Sequence, residues 1–410
     1  MNSHYNPARP LIMHIDLNSC FATVEQQSRP LLRGRPVAVV NRRTMHTAVV
    51  TASYEAKARG VKVGMALQEA AKLAPGLIAL ETDPAKYRFV YHKLLNIMND
   101  YSAQVTMKSI DEGVIDFTQA TPDMQARSLE EIGHEIKRRL RDEVGNYMRC
   151  NVGIGPNRFL AKMAASLHKP DGLDVITAEN LREVYAGLKL MDLTGIASHY
   201  AKRLNGVGIY TPLEFLDADE VTLRRVVFKS IVGTQWYERL RGWEVDDVTH
   251  ELKTIGRQYV LDERNLPFQA IAERLHVLCE SVGTRLRAQG LAARGVSVYV
   301  KTNERQYWQS RHMAMLPFSQ DQAIYAQACH LLTQAPTGIR ELGVTCYELQ
   351  PDDDPQLTIF GNEVARERAV TQAVDTINQR YGERTIHSGH TLNTPRSLTP
   401  KIPFGSTRFL

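Results

Sequence analysis

Leu11–Leu17 is apolar and bounded by Pro10, which predicts a buried strand. Ser19–Ser28 reads as a short helix, and Pro36–Asn41 and Thr47–Ala52 as two strands. Tyr54–Arg59 and Leu67–Ala74 read as short helices stopped by Gly60 and Pro75, and Lys86–Ser102 as a longer one. Gln104–Ile110 and Val114–Phe117 predict two strands separated by the polar turn Asp111-Glu112-Gly113. Leu129, Ile132, Ile136 and Leu140 recur at helical spacing within a predicted helix Met124–Val144. Arg149–Ile154 then reads as a strand, Asn157–Leu167 as a helix and Lys169-Pro170-Asp171-Gly172 as a turn. The pattern is that of an α/β or α+β domain ending near residue 175, with an insertion after its first strand.

Residues 176–248 predict short helices broken by glycine, including Leu193-Thr194-Gly195-Ile196-Ala197 and Asn205-Gly206-Val207-Gly208-Ile209. Residues 254–349 read strand, helix, strand, strand, helix, strand, with helices Phe268–Leu286 and Gln320–Thr333. Pro351-Asp352-Asp353-Asp354-Pro355 is a linker by composition. A helical pattern, Glu363–Arg380, follows, then an expectedly unstructured tail with Arg396, Lys401 and Arg408. No internal repeat is evident.

The chain has 410 residues, and at ~150 per domain that suggests two to four domains. With 43% hydrophobic and 23% charged residues it can bury cores. No run approaches the ~18 apolar residues of a membrane span, and polar Met1–Pro10 lacks a signal-peptide stretch. Five scattered cysteines, none spaced C-x-x-C, argue against a zinc ribbon or a disulfide framework and for reduced thiols in the cytoplasm. A net charge of +5 permits a polyanionic partner without demanding one.

Two acidic sites stand out: Asp16 at the end of the first strand, and Asp111-Glu112 at the predicted turn. Charges at the ends of core strands need compensation, and a divalent cation shared by three carboxylates would supply it. Neighbours on a regular strand point to opposite faces, so one shared site requires the chain to turn there, which Gly113 eases. An acidic hairpin tip beside an unrelated Asp fits the spacing as well.

The flanking residues carry a resemblance. His14-Ile15-Asp16-Leu17-Asn18-Ser19-Cys20-Phe21 resembles the opening motif of the Y-family (translesion) DNA polymerases. Lys108-Ser109-Ile110-Asp111-Glu112-Gly113-Val114-Ile115-Asp116 resembles their second signature. Thr51–Lys57 and Gly60–Met65 look like their finger segment, and Gly153–Ala165 with Lys169–Gly172 like their last palm helix. The matches keep the family's order over most of residues 10–250. The resemblance implies an α+β polymerase hand: a ferredoxin-like palm (1–19 and 83–175) and small fingers (20–82). A helical thumb with helix-hairpin-helix-like turns (176–248), a four-stranded βαββαβ little finger (254–349) and a tail (350–410) complete it.

It also implies roles. Asp16, Asp111 and Glu112 would hold two Mg²⁺ ions (or Mn²⁺) about 3.5–4 Å apart, with the Leu17 carbonyl as a further ligand. Tyr54, Lys57 and Lys162 would contact the triphosphate of a dNTP, with Thr51 adding a hydroxyl. Phe21 falls at the steric gate that excludes a 2′-hydroxyl, where the pattern alone allows a core aromatic; Cys20 would line the nucleotide pocket. Three departures stand out. Gly113-Val114 follows the acids where an aromatic is usual, Lys57 stands where Arg is common, and Ala197 replaces the second glycine of the thumb turn.

Primer–template DNA would meet backbone amides at Gly195, Gly206 and Gly208. Arg257, Lys301 and Arg311 alternate on predicted strands of the third region, either as a phosphate-gripping face or as a solvated polar one. Gln356-Leu357-Thr358-Ile359-Phe360 resembles the bacterial sliding-clamp peptide: Leu357, Ile359 and Phe360 would fill an apolar groove while Gln356 sets register. A strand of the C-terminal domain is the other reading. The expected whole is a monomeric, cytoplasmic, nucleoid-associated bacterial DNA polymerase without membrane contact. It would carry out low-fidelity translesion synthesis without a proofreading exonuclease. A catalytically inactive scaffold that binds DNA and the clamp is the alternative, and the loss of the carboxylates that would mark it is not seen. A nucleotidyl cyclase on the same palm fits poorly with a separate thumb and a clamp peptide.

Overall fold

Period-two alternation builds the central sheet. In β1 (Ile12–Leu17), Met13, Ile15 and Leu17 face the main core, leaving His14 and Asp16 on the opposite face. A computed structural model describes residues 5–248, 251–261, 263–352, 363–392 and 394, which fall into two compact units, 5–248 and 251–394.

In the first unit, α1 (Cys20–Ser28) follows β1 directly. β2 (Val37–Val40), β3 (Val49–Ala52), α2 (Tyr54–Lys57), α3 (Leu67–Leu73) and β4 (Ile78–Glu81) form a small module with strand order β3-β2-β4. The chain continues through α4 (Pro84–Asn99), β5 (Val105–Met107), β6 (Glu112–Asp116), α5 (Pro122–Ala126) and α6 (Leu129–Glu143). β7 (Cys150–Gly155), α7 (Arg158–Leu167) and β8 (Leu173–Val175) complete a five-stranded sheet ordered β5-β6-β1-β7-β8. Ile97 and Met98 of α4 and Ile132 and Ile136 of α6 cover one face. α7 lies against the other. Short helices α8 (Leu181–Ala186), α9 (Ser198–Asn205), α10 (Pro212–Asp217), α11 (Glu220–Thr222) and α12 (Val232–Leu240) enclose Phe215, Phe228 and Trp236.

The contact of α7 with β7 depends on Gly153. A Cβ there would lie 2.1 Å from both the Ala161 carbonyl oxygen and the Ala165 nitrogen, backbone atoms that cannot step aside. Gly153→Ala is therefore expected to cost at least about 1–3 kcal/mol, seen as a lower urea midpoint. An unchanged midpoint would contradict this packing.

The second unit runs β9 (Thr254–Val260), α13 (Phe268–Ala288), β10 (Leu291–Thr302), β11 (Tyr307–Phe318), α14 (Asp321–Leu332), β12 (Ile339–Pro351) and α15 (Glu363–Tyr381). Its antiparallel sheet has the order β11-β10-β12-β9. Val296, Val298, Leu342 and Val344 are buried on the helix side. On the outer side the rings of Tyr299 and Tyr347 occupy the space that Cβ atoms on Gly343 and Gly295 would fill. α15 is tied to α13 by Asp375, which accepts from Arg287 Nε at 2.6 Å and Nη2 at 2.9 Å.

Four expectations are corrected. β4 and β8 were not foreseen; each is short and pairs in parallel with a strand distant in sequence, β2 and β7. The predicted helix Met124–Val144 is two helices, because Ser128 accepts a hydrogen bond from the Glu131 N–H and caps a new start. Glu112 and Gly113 are not in a turn but open β6; the turn is residues 108–111. Gly113 serves packing instead, since a Cβ there would lie 2.7 Å from Met107 Sδ and 2.8 Å from Met98 Cε. Lastly, Arg257 and Lys301 do not share a face, as described below.

Candidate active site

Antiparallel pairing sets Asp16 of β1 directly opposite Glu112 of β6, so both carboxylates emerge from one sheet face. The Leu17 N–H donates to the Asp111 carbonyl at 2.8 Å, bringing the turn beside the end of β1; the Leu17 side chain is core. Ligand atoms of His14, Asp16 and Glu112 all lie within 4.8 Å of one another. The Asp111 carboxylate accepts from Ser109 Oγ. Burial raises its pKa from the ordinary aspartate value, and the charges of Asp16 and Glu112 raise it further. Glu112 goes the other way. Burial pushes its pKa up, but bonds from His14 and Lys162 win and hold it at about 2. His14 Nε2 is 3.1 Å from Glu112 Oε2, and Lys162 Nζ is 2.9 and 2.8 Å from Oε1 and Oε2. Lys169 Nζ donates to Asp16 Oδ2 at 2.7 Å. Ammonium groups thus neutralise two of the crowded acids where a divalent cation would. The oxygens of Asp16 and Glu112 suit one, with Asp111 near enough to feel both charges but not a member of the group within 4.8 Å.

Of the predicted nucleotide residues, Tyr54, Lys57 and Cys20 lie near enough to Asp16 to feel its charge, whereas Lys162 is on Glu112. Lys57 Nζ donates to Ser19 Oγ at 2.7 Å and lies 4.9 Å from the centre of the Tyr54 ring. Burial and then the charge of Lys169 lower the Lys57 pKa. Thr51 is half-buried on β3. Cys20 is buried, and burial followed by the charges of Asp111 and Asp16 raises its thiol pKa well above the ordinary value, so it stays protonated. Phe21 is 2% exposed and stacks on Tyr87, ring centres 4.1 Å apart and 6° from parallel. The Tyr87 hydroxyl donates to Glu25 Oε1, and Lys86 Nζ to Glu25 Oε2, both at 3.1 Å.

Three residues of the site were not assigned from sequence. His14 had a local signal, lying two residues before Asp16 on the same strand face. Lys169 belongs to a turn held by two buried asparagines: Asn18 Oδ1 accepts from the Asp171 N–H at 2.7 Å, and Asn151 Nδ2 donates to the His168 carbonyl at 3.0 Å. Tyr87 has no signal near Phe21 in the chain.

A cavity of about 390 Å³ beside His14 and Lys162 is lined also by Lys108, Arg158, Arg239 and Gly195. Gly195 has φ 95° and Gly208 φ 85°, conformations that favour glycine, but Gly206 ends α9 with φ −64°. The amides of Gly206, Val207, Gly208 and Ile209 all donate within their own turn, so the proposed phosphate contact at Gly206 and Gly208 has no free amide there. Ala197 has φ −105°, which alanine adopts without strain. On the second unit's sheet, Lys301 pairs with Tyr307 and Ser297 with Arg311, placing Lys301 and Arg311 on the outer face. Lys301 Nζ is 3.0 Å from Glu341 Oε2, and Arg311 lies 5.9 Å from the centre of the Tyr347 ring. Arg257 shares its strand face with buried Ile255 and Tyr259 and so faces the helices. Burial first, and then the charge of Arg285, lowers its pKa to about 10. Gln356, Leu357, Ile359 and Phe360 lie outside the described residues.

Among the described residues no helix is long and apolar enough to cross a membrane. Residues 15–166 match the model of the impB/mucB/samB family, and residues 253–359 that of the impB/mucB/samB family C-terminal domain. The sequence is 31% identical to DNA polymerase IV 1 of Bacillus subtilis (strain 168) over 409 residues, 97% of each chain. It is 35% identical to DNA polymerase IV of Moorella thermoacetica over 388 residues, 92% of this chain and 94% of the relative. The fold is similar to that of a Y-family DNA polymerase chimera of Dbh and Dpo4, with TM-score 0.70, 22% identity and coverage of 82% of this chain and 98% of that one.

Proposed function

We propose, since this chain belongs to the impB/mucB/samB family of Y-family DNA polymerases together with enzymes named DNA polymerase IV, that it extends primers on damaged templates by metal-assisted nucleotidyl transfer without proofreading. The chain is a DNA-directed DNA polymerase of the translesion kind. The observation that carries the proposed mechanism is the convergence of Asp16 and Glu112, each with a lysine ammonium on it, beside the buried carboxyl of Asp111. When bound, two Mg²⁺ ions (or Mn²⁺) on Asp16, Asp111, Glu112 and the Leu17 carbonyl would acidify the primer 3′-hydroxyl and neutralise the triphosphate.

The protein's own groups do the rest. Tyr54, Lys57, Lys162 and Lys169 bind the triphosphate as hydrogen-bond donors and charges, completing what two divalent ions leave uncompensated. Phe21 forms the wall beneath the sugar. The cation-lined cavity and the Gly195 turn take backbone phosphates of the primer strand, and Lys301 and Arg311 those of the duplex, none of them reading sequence. The direct test is Mg²⁺-dependent extension of a primed template, with and without an abasic site. Extension past the abasic site and an intact mismatched primer are expected. No incorporation on undamaged DNA would refute the reading.

The proposal also includes a monomeric enzyme that binds the sliding clamp through residues 356–360. Leu357→Ala with Phe360→Ala is expected to remove clamp stimulation on long templates while leaving extension of short primers unchanged. Equal stimulation of both proteins would exclude that site.

A further inference from the structure

We infer that His14 is a positioning residue for the reaction: a fixed partner that holds the Glu112 carboxylate in place while Lys162, its other partner, leaves for the substrate's phosphates. The inference rests on the reading of Glu112 as a cation ligand. His14 Nε2 lies 3.1 Å from Glu112 Oε2, and an imidazole nitrogen facing a carboxylate carries the hydrogen and donates it.

The two partners of Glu112 differ in freedom. His14 is 1% exposed and sits within β1 between its register partners Val114 and Gly153. Its ring has two torsions and is almost wholly enclosed, although one edge borders the same cavity as Lys162. The Lys162 side chain is 34% exposed, has four torsions, and borders the cation-lined cavity. When a divalent cation and a triphosphate arrive, the carboxylate oxygens are wanted by the cation and the ammonium by the phosphates. Lys162 satisfies both by moving. A shorter, buried histidine anchored in the middle of a strand stops the carboxylate from following it.

A second observation supports a functional histidine. His14 Nδ1 is buried with no hydrogen-bond partner. An apolar side chain at position 14 would avoid that unmet bond, so stability alone does not favour imidazole here. What the imidazole supplies there is its bond to the neighbouring carboxylate.

The experiment uses the full chain and Mn²⁺, whose free concentration is read by electron paramagnetic resonance without DNA or nucleotide, alongside kcat, KM for dNTP and thermal melting. His14→Leu is expected to weaken Mn²⁺ binding and lower kcat, each by about tenfold, with KM for dNTP within about twofold. His14→Gln places an amide nitrogen near the Nε2 position and should recover most of both. His14→Asn is too short to reach Glu112 and should not, which keeps the comparison valid should the leucine variant misfold. Lys162→Met should have the opposite sign on the metal, binding Mn²⁺ about threefold tighter or more because a competing charge is gone, while KM for dNTP rises. Wild-type Mn²⁺ affinity in His14→Leu, or equal defects in His14→Gln and His14→Asn, would overturn the inference. Glu112→Gln separates the failures. If it binds Mn²⁺ like wild type, the ligand reading itself falls; if it loses Mn²⁺ while His14→Leu does not, only the role of His14 falls.

Discussion

Asp111→Asn and Glu112→Gln are each expected to lower Mg²⁺-dependent incorporation by on the order of 10³-fold, with primer–template affinity retained. Single-turnover extension and a DNA-binding titration measure the two quantities. Both substitutions keep shape and remove one negative charge, so the loss would report charge. The Asp111 variant has a second, opposite consequence. Its carboxyl is buried and raised in pKa by burial and by two neighbouring acids, so ionising it opposes folding when no cation is bound. Removing that charge relieves the repulsion, and Asn can still accept from Ser109. Asp111→Asn should therefore melt a few degrees higher than wild type in metal-free buffer, about 2–4 °C per kcal/mol for a unit this size. Mg²⁺ should then raise the melting temperature of wild type more than that of the variant, because only wild type retains the full ligand set. A variant that extends at the wild-type rate would show that Asp111 is not a ligand.

What the sequence disclosed follows from which interactions are local. β1 is legible as an apolar run bounded by Pro10, and the start of α7 is set locally by Asn157, whose Oδ1 accepts from the Leu160 N–H at 2.8 Å. The acids were legible as a group only through the motifs around them. Their true setting was misread at Gly113, taken as a turn glycine when its missing side chain makes room for Met98 and Met107; that requirement comes from α4 and β5. Lys169 reaches Asp16 across 153 residues through a turn fixed by Asn18 and Asn151, and no local pattern reveals such a bond. Arg257 is different. Its face is readable from the same two-residue period, which carries apolar Ile255 and Tyr259 to the helix side with it, although its charge alone suggests an exposed face.

Phe21→Ala is expected to raise ribonucleotide use by about 10²-fold relative to the matching dNTP. The packing around the ring supports this expectation, because a wall built there would be rigid and would not yield to an added hydroxyl. Phe21 lies flat on Tyr87, which is itself fully buried and pinned through its hydroxyl to Glu25, a buried carboxylate bonded in turn to Lys86. For Phe21 to retreat, Tyr87 would have to break that bond or compress a close-packed core, either of which costs more than the hydroxyl could return. Removing a buried ring also creates a cavity, and about 3–5 kcal/mol of stability is expected to go with it. That loss does not confuse the reading. The two nucleotides compete for the same folded molecules, so the ratio of their kcat/KM values is independent of the folded fraction. Phe21→Leu, which leaves a smaller void, should shift the ratio in the same direction by less. An unchanged ratio in Phe21→Ala, measured well below its melting temperature, would make Phe21 a core aromatic and leave the sugar to be sensed elsewhere.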